Sequence, residues 1–397
     1  MSLISEIPSP CYVLYEEKLR RNLELIKSVK DRAGVEIIMA FKAFSLWKAF
    51  PIVKEYIQFS TASSLNEALL AVEEMGSKAH TFAPVYTDAE FDYIAACSSH
   101  ITFNSIAQYE KYRTRTRGVS CGLRVNPEFS VVETDLYNPC VAGSRLGVKR
   151  ETLGAELPEG IEGLHVHCLC ESSAADTAAL IKRVEELYGC YFDKIKWINF
   201  GGGHLMTRKG YDVELLVNSL IEFRQRHPNL QVILEPGSAF AWQTGTLVAT
   251  VQDIVENDGI KTAMLDVSFA CHMPDCLEMP YKPAIEGATD PVEGKPTYRM
   301  GGNSCLSGDY VGSWSFDEPL KVGDRVVFED MIHYTTVKTT MFNGVTHPAI
   351  AMVWPNGQID LLRKFIYQDY IPVRERAFHR VTHDIGLFQC IPGNGPG

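Results

Sequence analysis

Four polar groups stand at the ends of apolar, strand-like runs, and their types together define a chemistry. The first is Lys42, near the end of VEIIMAFKA at residues 35–43. Lysine is rarely buried without a partner, so an amine at the end of a buried run either snorkels to solvent or is held where it reacts. The second is an imidazole. LHVH, residues 164–167, ends in His167, and His165 shares its facing by the two-residue period of a strand, so either ring could point into a site. The third is Gly201, Gly202 and Gly203, directly after the apolar WINF, where backbone amides can approach an anion without an intervening Cβ. The fourth is Glu235, which ends the run VIL and is followed by Pro236 and Gly237.

Singly, each has a plain structural reading: a solvated lysine, a histidine packed in the core, a flexible glycine turn, a solvated loop carboxylate. Converging on one mouth, they are what a pyridoxal phosphate site requires. The lysine condenses with the cofactor aldehyde, the imidazole stacks on the ring, the glycines cradle the phosphate, and the carboxylate keeps the pyridine nitrogen protonated. A nearby carboxylate raises a cation's pKa by about 1–3 units, enough to hold a pyridinium near neutral pH.

The elements that must position these groups follow a regular rhythm. Strand-like runs fall at residues 37–41, 58–60, 80–83, 101–103, 121–126, 163–167, 197–200 and 232–235. Apolar residues at helical spacing fill most gaps, at 63–75, 88–96, 106–115, 174–188 and 213–226. An earlier strand at 11–15 and a helix at 16–32 precede them. Strands alternating with helices imply a parallel sheet covered by its crossovers, and eight of them imply a closed (β/α)8 TIM-like barrel, with catalytic groups at the C-terminal strand ends. From about residue 246 the pattern becomes strand after strand with turn punctuation. The expectation is a barrel over residues 8–245 and an antiparallel β-sandwich or small β-barrel over 246–378, joined by residues 1–7, with an irregular tail at 379–397.

At 397 residues the chain suits a barrel of about 250 residues plus a smaller domain. A net charge of −11 argues against a nucleic-acid partner and mildly favours cationic small molecules. No basic and apolar leader opens the sequence, and no apolar run approaches the length of about 18 residues expected of a membrane span. A cytoplasmic protein with no membrane partner is therefore expected. The 11 cysteines contain no CxxC pair, so neither a disulfide framework nor a zinc site is indicated, and no metal is expected.

The ordered motifs resemble the fold type III pyridoxal-phosphate decarboxylases, the alanine racemase-like barrels that include ornithine, arginine and diaminopimelate decarboxylases. They are most similar to the carboxynorspermidine/carboxyspermidine subgroup. The resemblance covers nearly all of residues 7–378. It rests on SPCYVLYEEKL, AFKA, ASSLNE at 62–67, LRVNP at 123–127, SRLG at 144–147, LHVH, GGGH, LEPG and the late GGNSC at 301–305. It implies that Lys42 carries pyridoxal 5'-phosphate, with His167, Gly201, Gly202, Gly203, Glu235, Gly237 and Tyr334 completing the cofactor site. It also implies a homodimer with shared sites, in which Cys305 crosses to the neighbouring subunit and returns a proton to the product carbon. Asp309 is implied as a companion in substrate contact.

Departures from the broader family bear on substrate. Ser238 stands where relatives often place an arginine after Glu-Pro-Gly, Cys168-Leu169-Cys170 follows His167 in place of a Gly-Ser pair, and Leu306 follows the late cysteine in place of an acid. The segment CHMPDCLEMPYKP at 271–283 lacks the arginine that diaminopimelate enzymes use for a second carboxylate and carries Asp275 and Glu278 instead. Those carboxylates suit a cationic far end. Arg145 either contacts the substrate carboxylate or pairs structurally. The resemblance thus implies decarboxylation of carboxynorspermidine or carboxyspermidine to norspermidine or spermidine and CO2. Diaminopimelate or another basic amino acid is the alternative substrate. A non-catalytic carrier of the cofactor is the alternative of another class, and the β domain and Cys305 count against it.

Overall fold

The computed structural model describes residues 6–132, 135–279 and 281–374. The tail expected at 379–397 lies outside the described residues.

Eight parallel strand positions form the barrel. The ring closes through strand one, which is split at Ile38. Its first half, Glu36–Ile37, pairs with Gln231–Leu234, and its second half, Met39–Ala40, pairs with Ser60–Ala62. Ile38 N–H donates to Leu234 C=O at 2.9 Å, and Met39 N–H donates to Phe59 C=O at 3.0 Å, so one strand serves both neighbours. Ile37, Ile38, Met39, Ala40 and Phe41 are all buried, as a strand covered on both faces requires. The ring then runs through Ala79–Phe82, Ser98–Phe103, Ser120–Asn126, Ile161–His165 and Trp197–Asn199. Helices cover its outside. Ala174–Tyr188 begins with a reciprocal cap between Ser173 and Asp176, which satisfies amides the helix leaves unpaired. Glu16–Ala33 ends at left-handed Gly34.

The second sheet has nine strands among the described residues. It is mixed where an antiparallel sheet was expected: Cys11–Tyr15 runs parallel to Ala349–Val353, and Ile260–Leu265 runs parallel to Thr297–Gly301. Cys11–Tyr15 was also expected in the barrel domain, yet it pairs between Gly245–Asn257 and Ala349–Val353 in the second sheet. The physical reason is its two apolar faces. Cys11 and Val13 pack with Val248, Val327 and Ala351, while Tyr12 and Leu14 join the main core, so the strand clasps the two layers. Among the described residues, no helix is long and apolar enough to cross a membrane.

Candidate active site

A cavity of about 1260 Å³ opens at the C-terminal ends of the barrel strands and is walled on its far side by the second sheet's loops. Lys42 follows strand one and stands in it. Its exposure is exposure to this cavity, since protein encloses it, and burial pushes its amine below the ordinary lysine value. Its Nζ lies 3.3 Å from His167 Nε2. His167 Nδ1 accepts the Gly202 N–H at 3.0 Å, so the ring's proton sits on Nε2, facing the lysine. Burial, then the nearby Lys42 and Arg124 charges, hold the imidazole well below its usual value, and it is neutral.

Glu235 ends strand eight. Burial alone would push its carboxyl up, but His165, the hydrogen bond from Asn199 and the charge of Lys42 outweigh it and hold the group at about 2. Asn199 Nδ2 donates to Oε1 at 2.6 Å, and His165 Nε2 lies 3.6 Å from Oε2. Both nitrogens of His165 lack a hydrogen-bond partner among the described residues, and burial lowers its pKa. The two histidines left open as alternatives therefore both reach the site. His167 meets the lysine, and His165 meets the carboxylate.

Part of the glycine run is engaged within the protein. Gly201 N–H donates to Asn199 Oδ1 at 2.8 Å and Gly202 N–H to His167, so two of the three amides are already taken. The glycines are needed for close packing: a Cβ on Gly202 would lie 2.5 Å from the Glu235 carbonyl oxygen, and one on Gly203 within 2.4 Å of Leu169 backbone. Ser238 is likewise engaged, donating to Glu171 Oε1 at 3.0 Å. Tyr334 is a half-buried phenol whose hydroxyl would stand 3.2 Å from a Cβ on Gly237. Its φ of +49° is left-handed, and its N–H donates to Ala43 C=O at 2.8 Å, beside Lys42. A non-glycine residue in that region costs about 1–3 kcal/mol, and such strain gathers at functional sites.

Not every expected residue comes to this cavity. Asp275 and Arg145 line it. Glu278 stands behind Asp275 on the short helix Asp275–Glu278, with its Oε2 2.5 Å from Lys338 Nζ. Asp309 is turned inward: its carboxylate accepts from Ala270 N–H at 3.1 Å, Ser304 N–H at 3.1 Å and Ser304 Oγ at 2.6 Å, and it shapes the loop between Thr297–Gly301 and Tyr310–Phe316. Expected to touch substrate, it is held by that loop and by Ala270 of the short helix Phe269–His272. Cys305 rides on the loop, exposed, with its N–H on Asn343 Oδ1 at 2.8 Å, and it is outside the cavity lining of its own chain.

Two groups were overlooked. Arg124 is buried in the cavity wall, donates to His167 C=O at 2.9 Å and lies over the Phe82 ring at 4.6 Å, with burial lowering its pKa to about 10. Asn199 fixes Glu235. Both are polar residues inside buried strands, the same signal that singled out Lys42.

Residues 12–332 match the family described as pyridoxal-dependent decarboxylase, C-terminal sheet domain. The chain belongs to that family. It is 50% identical over 369 residues to the carboxyaminopropylagmatine decarboxylase of Synechocystis sp., covering 92% of this chain and 95% of the relative. It is 43% identical over 376 residues to the carboxynorspermidine/carboxyspermidine decarboxylase of Campylobacter jejuni, covering 92% and 98%. The crystal structure of carboxynorspermidine decarboxylase from Campylobacter jejuni complexed with norspermidine superposes with a TM-score of 0.85 at 42% identity, covering 92% of this chain and 99% of that one. The donor set fits the family's cofactor: an amine whose charged form is disfavoured, a neutral imidazole against it, an ionised carboxylate, and a phenol at a glycine-lined end.

Proposed function

We propose that this decarboxylase acts on carboxynorspermidine or carboxyspermidine, releasing CO2 and norspermidine or spermidine, with pyridoxal 5'-phosphate as cofactor. One observation carries the substrate class: charge is divided across a single cavity. The barrel end sets the guanidiniums of Arg124 and Arg145 beside the one carboxylate of Glu235, with Lys42 and the two imidazoles held toward neutrality by burial. The far wall carries the carboxylates of Asp275, Glu329 and Asp330, with Glu278 joined to Asp275 through Lys338, against the ammoniums of Lys338 and Lys282, leaving net negative charge. A substrate with a carboxylate at one end and a cation at the other suits that division. The relative at 43% identity and the norspermidine complex support the same class.

Lys42 would hold the cofactor, its neutral amine being the nucleophilic form. Glu235, ionised and oriented by Asn199, would keep a proton on the ring nitrogen, and His167 would offer a ring face. When bound, the cofactor supplies an acceptor for the electron pair released as the carboxylate leaves. For its phosphate the chain would use the amides of Gly203 and Gly237 and the Tyr334 hydroxyl, since the Gly201 and Gly202 amides are engaged. Arg145, which has no carboxylate partner among the described residues, is placed to meet the departing carboxylate. Cys305 would return a proton to the carbon from the neighbouring subunit of a homodimer, because its exposed loop stands away from its own cavity.

A second reading has its own observation. The 50% identical relative is a carboxyaminopropylagmatine decarboxylase, and agmatine ends in a guanidinium, which the same carboxylates would receive. Parallel steady-state assays decide between them, with carboxynorspermidine, carboxyspermidine and carboxyaminopropylagmatine set beside diaminopimelate and ornithine. A carboxypolyamine is expected to lead by kcat/KM. One methylene is worth only about 1–3 kcal/mol, so carboxynorspermidine and carboxyspermidine should lie within about two orders of magnitude. Preference for diaminopimelate would overturn the reading.

A further inference from the structure

The ammonium that Asp275 and Glu278 already hold belongs to the chain itself. Lys338 Nζ hydrogen-bonds Asp275 Oδ1 and lies 2.5 Å from Glu278 Oε2. Lys338 and Asp275 both line the cavity, and the Tyr137 hydroxyl, from the loop on the opposite rim, lies 3.5 Å from the same Asp275 oxygen. Burial would lower the Lys338 pKa, but its hydrogen bonds to the two carboxylates outweigh it and raise the pKa above the ordinary lysine value, so the group stays charged through the physiological range.

The backbone fixes where this ammonium stands. Val337 and Lys338 N–H both donate to Tyr334 C=O at 3.0 Å, and Tyr334 is itself anchored on Ala43, next to Lys42. One turn therefore carries the phenol at Gly237 at its start and the ammonium on Asp275 four residues later. The distance between the reacting end of the cavity and its charged far wall is built into that turn.

We propose that Lys338 is a specificity-determining, positioning residue: an internal counter-ion that orients Asp275 and limits the negative charge offered to the substrate's far cation. The proposal rests on the carboxypolyamine reading above. With Lys338 in place, the two carboxylates and one ammonium of this cluster leave one net negative charge beside the substrate's far cation. That cation competes with a fixed ammonium for the Asp275 carboxylate, so the wild-type site binds it more weakly than an unengaged Asp275 would. A far carboxylate gains nothing from the arrangement, because Lys338 is already committed to two acids.

The test is a set of variants assayed on the leading carboxypolyamine and on diaminopimelate. Lys338→Met removes the charge and keeps the stem; Lys338→Gln removes it and keeps a polar end; Lys338→Arg is the conservative rescue. Both charge-removing variants are expected to raise kcat/KM for the carboxypolyamine by about three- to tenfold through a lower KM at constant kcat, and Lys338→Arg is expected to restore the wild-type KM. In an Asp275→Asn background the gain should shrink to about twofold or less, since Lys338 acts through that carboxylate. An equal loss on both substrates, a fall in kcat with no change in KM, or a gain that persists without Asp275 would overturn the proposal. Failure of both charge-removing variants to fold and take up cofactor would also overturn it, because Lys338 would then be part of the scaffold. If the wild type turns over no carboxypolyamine, the substrate reading fails first, a result these variants cannot mimic.

Discussion

The barrel mouth and the second sheet's wall face each other across one cavity, yet they hold charge in opposite ways. At the barrel mouth Lys42, Arg124, His165, His167 and Glu235 are fixed at strand ends and enclosed by protein. Desolvation there decides protonation: the lysine and both imidazoles are pushed toward neutrality, while the hydrogen bond from Asn199 helps Glu235 stay ionised. On the opposite wall Asp275, Glu278 and Lys338 sit on a four-residue helix and a turn, partly open to solvent. The difference separates tasks. Enclosed groups on rigid strands can set reactivity, whereas partly solvated ion pairs on short elements tune affinity by small amounts.

The largest effects expected concern the proposed shared site. Lys42→Ala and Cys305→Ala should each be nearly inactive, since removing a positioned acid or base costs about 10²–10⁴-fold and removing the cofactor's amine more. Mixing them at equal amounts should restore about a quarter of wild-type activity, because random pairing makes half the dimers hybrid and each hybrid regains one site of two. Demonstrable hybrids without recovery would count against a site shared between subunits.

Glu235→Gln comes next, with kcat reduced by about 10²–10³-fold while the carboxypolyamine KM changes little, because the loss lies at the ring end of the cavity. The same residue sets an acid limit. Its folded pKa is depressed to about 2 from 4.5, so its contribution to stability is complete above the unfolded value and is lost as pH falls from about 4.5 toward 2. Acid unfolding monitored by circular dichroism should reach further into acid for wild type than for Asn199→Leu, which removes the hydrogen bond holding Oε1.

The smallest effect belongs to the wall. A charge-assisted hydrogen bond is worth about 1.5–3 kcal/mol, so Asp275→Asn should lower kcat/KM for the carboxypolyamine by about one to two orders of magnitude and leave cofactor absorbance unchanged. Lost cofactor absorbance in this variant would erase the division between the two regions.

The same contrast explains what could be read from the sequence. Lys42, His167 and Glu235 were legible because a polar residue ending an apolar run marks a strand end, and a closed barrel brings strand ends together. The helices at Ala174–Tyr188 and Val213–Arg226 were legible from period alone. Cys11–Tyr15 was misplaced because pairing partners more than 200 residues away leave no local trace. Thr297–Gly301 and Tyr310–Phe316 carry little strand signal of their own, because glycines and a bulge interrupt their alternation. Lys338 gave no signal, since neither its turn nor the helix of Asp275 has a period. The hydrogen bonds that hold the Asp309 carboxylate gave no signal, because such bonds are invisible until the loop is folded.

The central claim is that Lys42 is the residue to which the cofactor attaches, and borohydride reduction of the purified holoenzyme followed by peptide mapping tests it directly. The pyridoxyl group should be recovered on the peptide containing Lys42 and should be absent from Lys42→Ala. Recovery on any other lysine, or no covalent label on an enzyme that retains decarboxylase activity, would contradict the account.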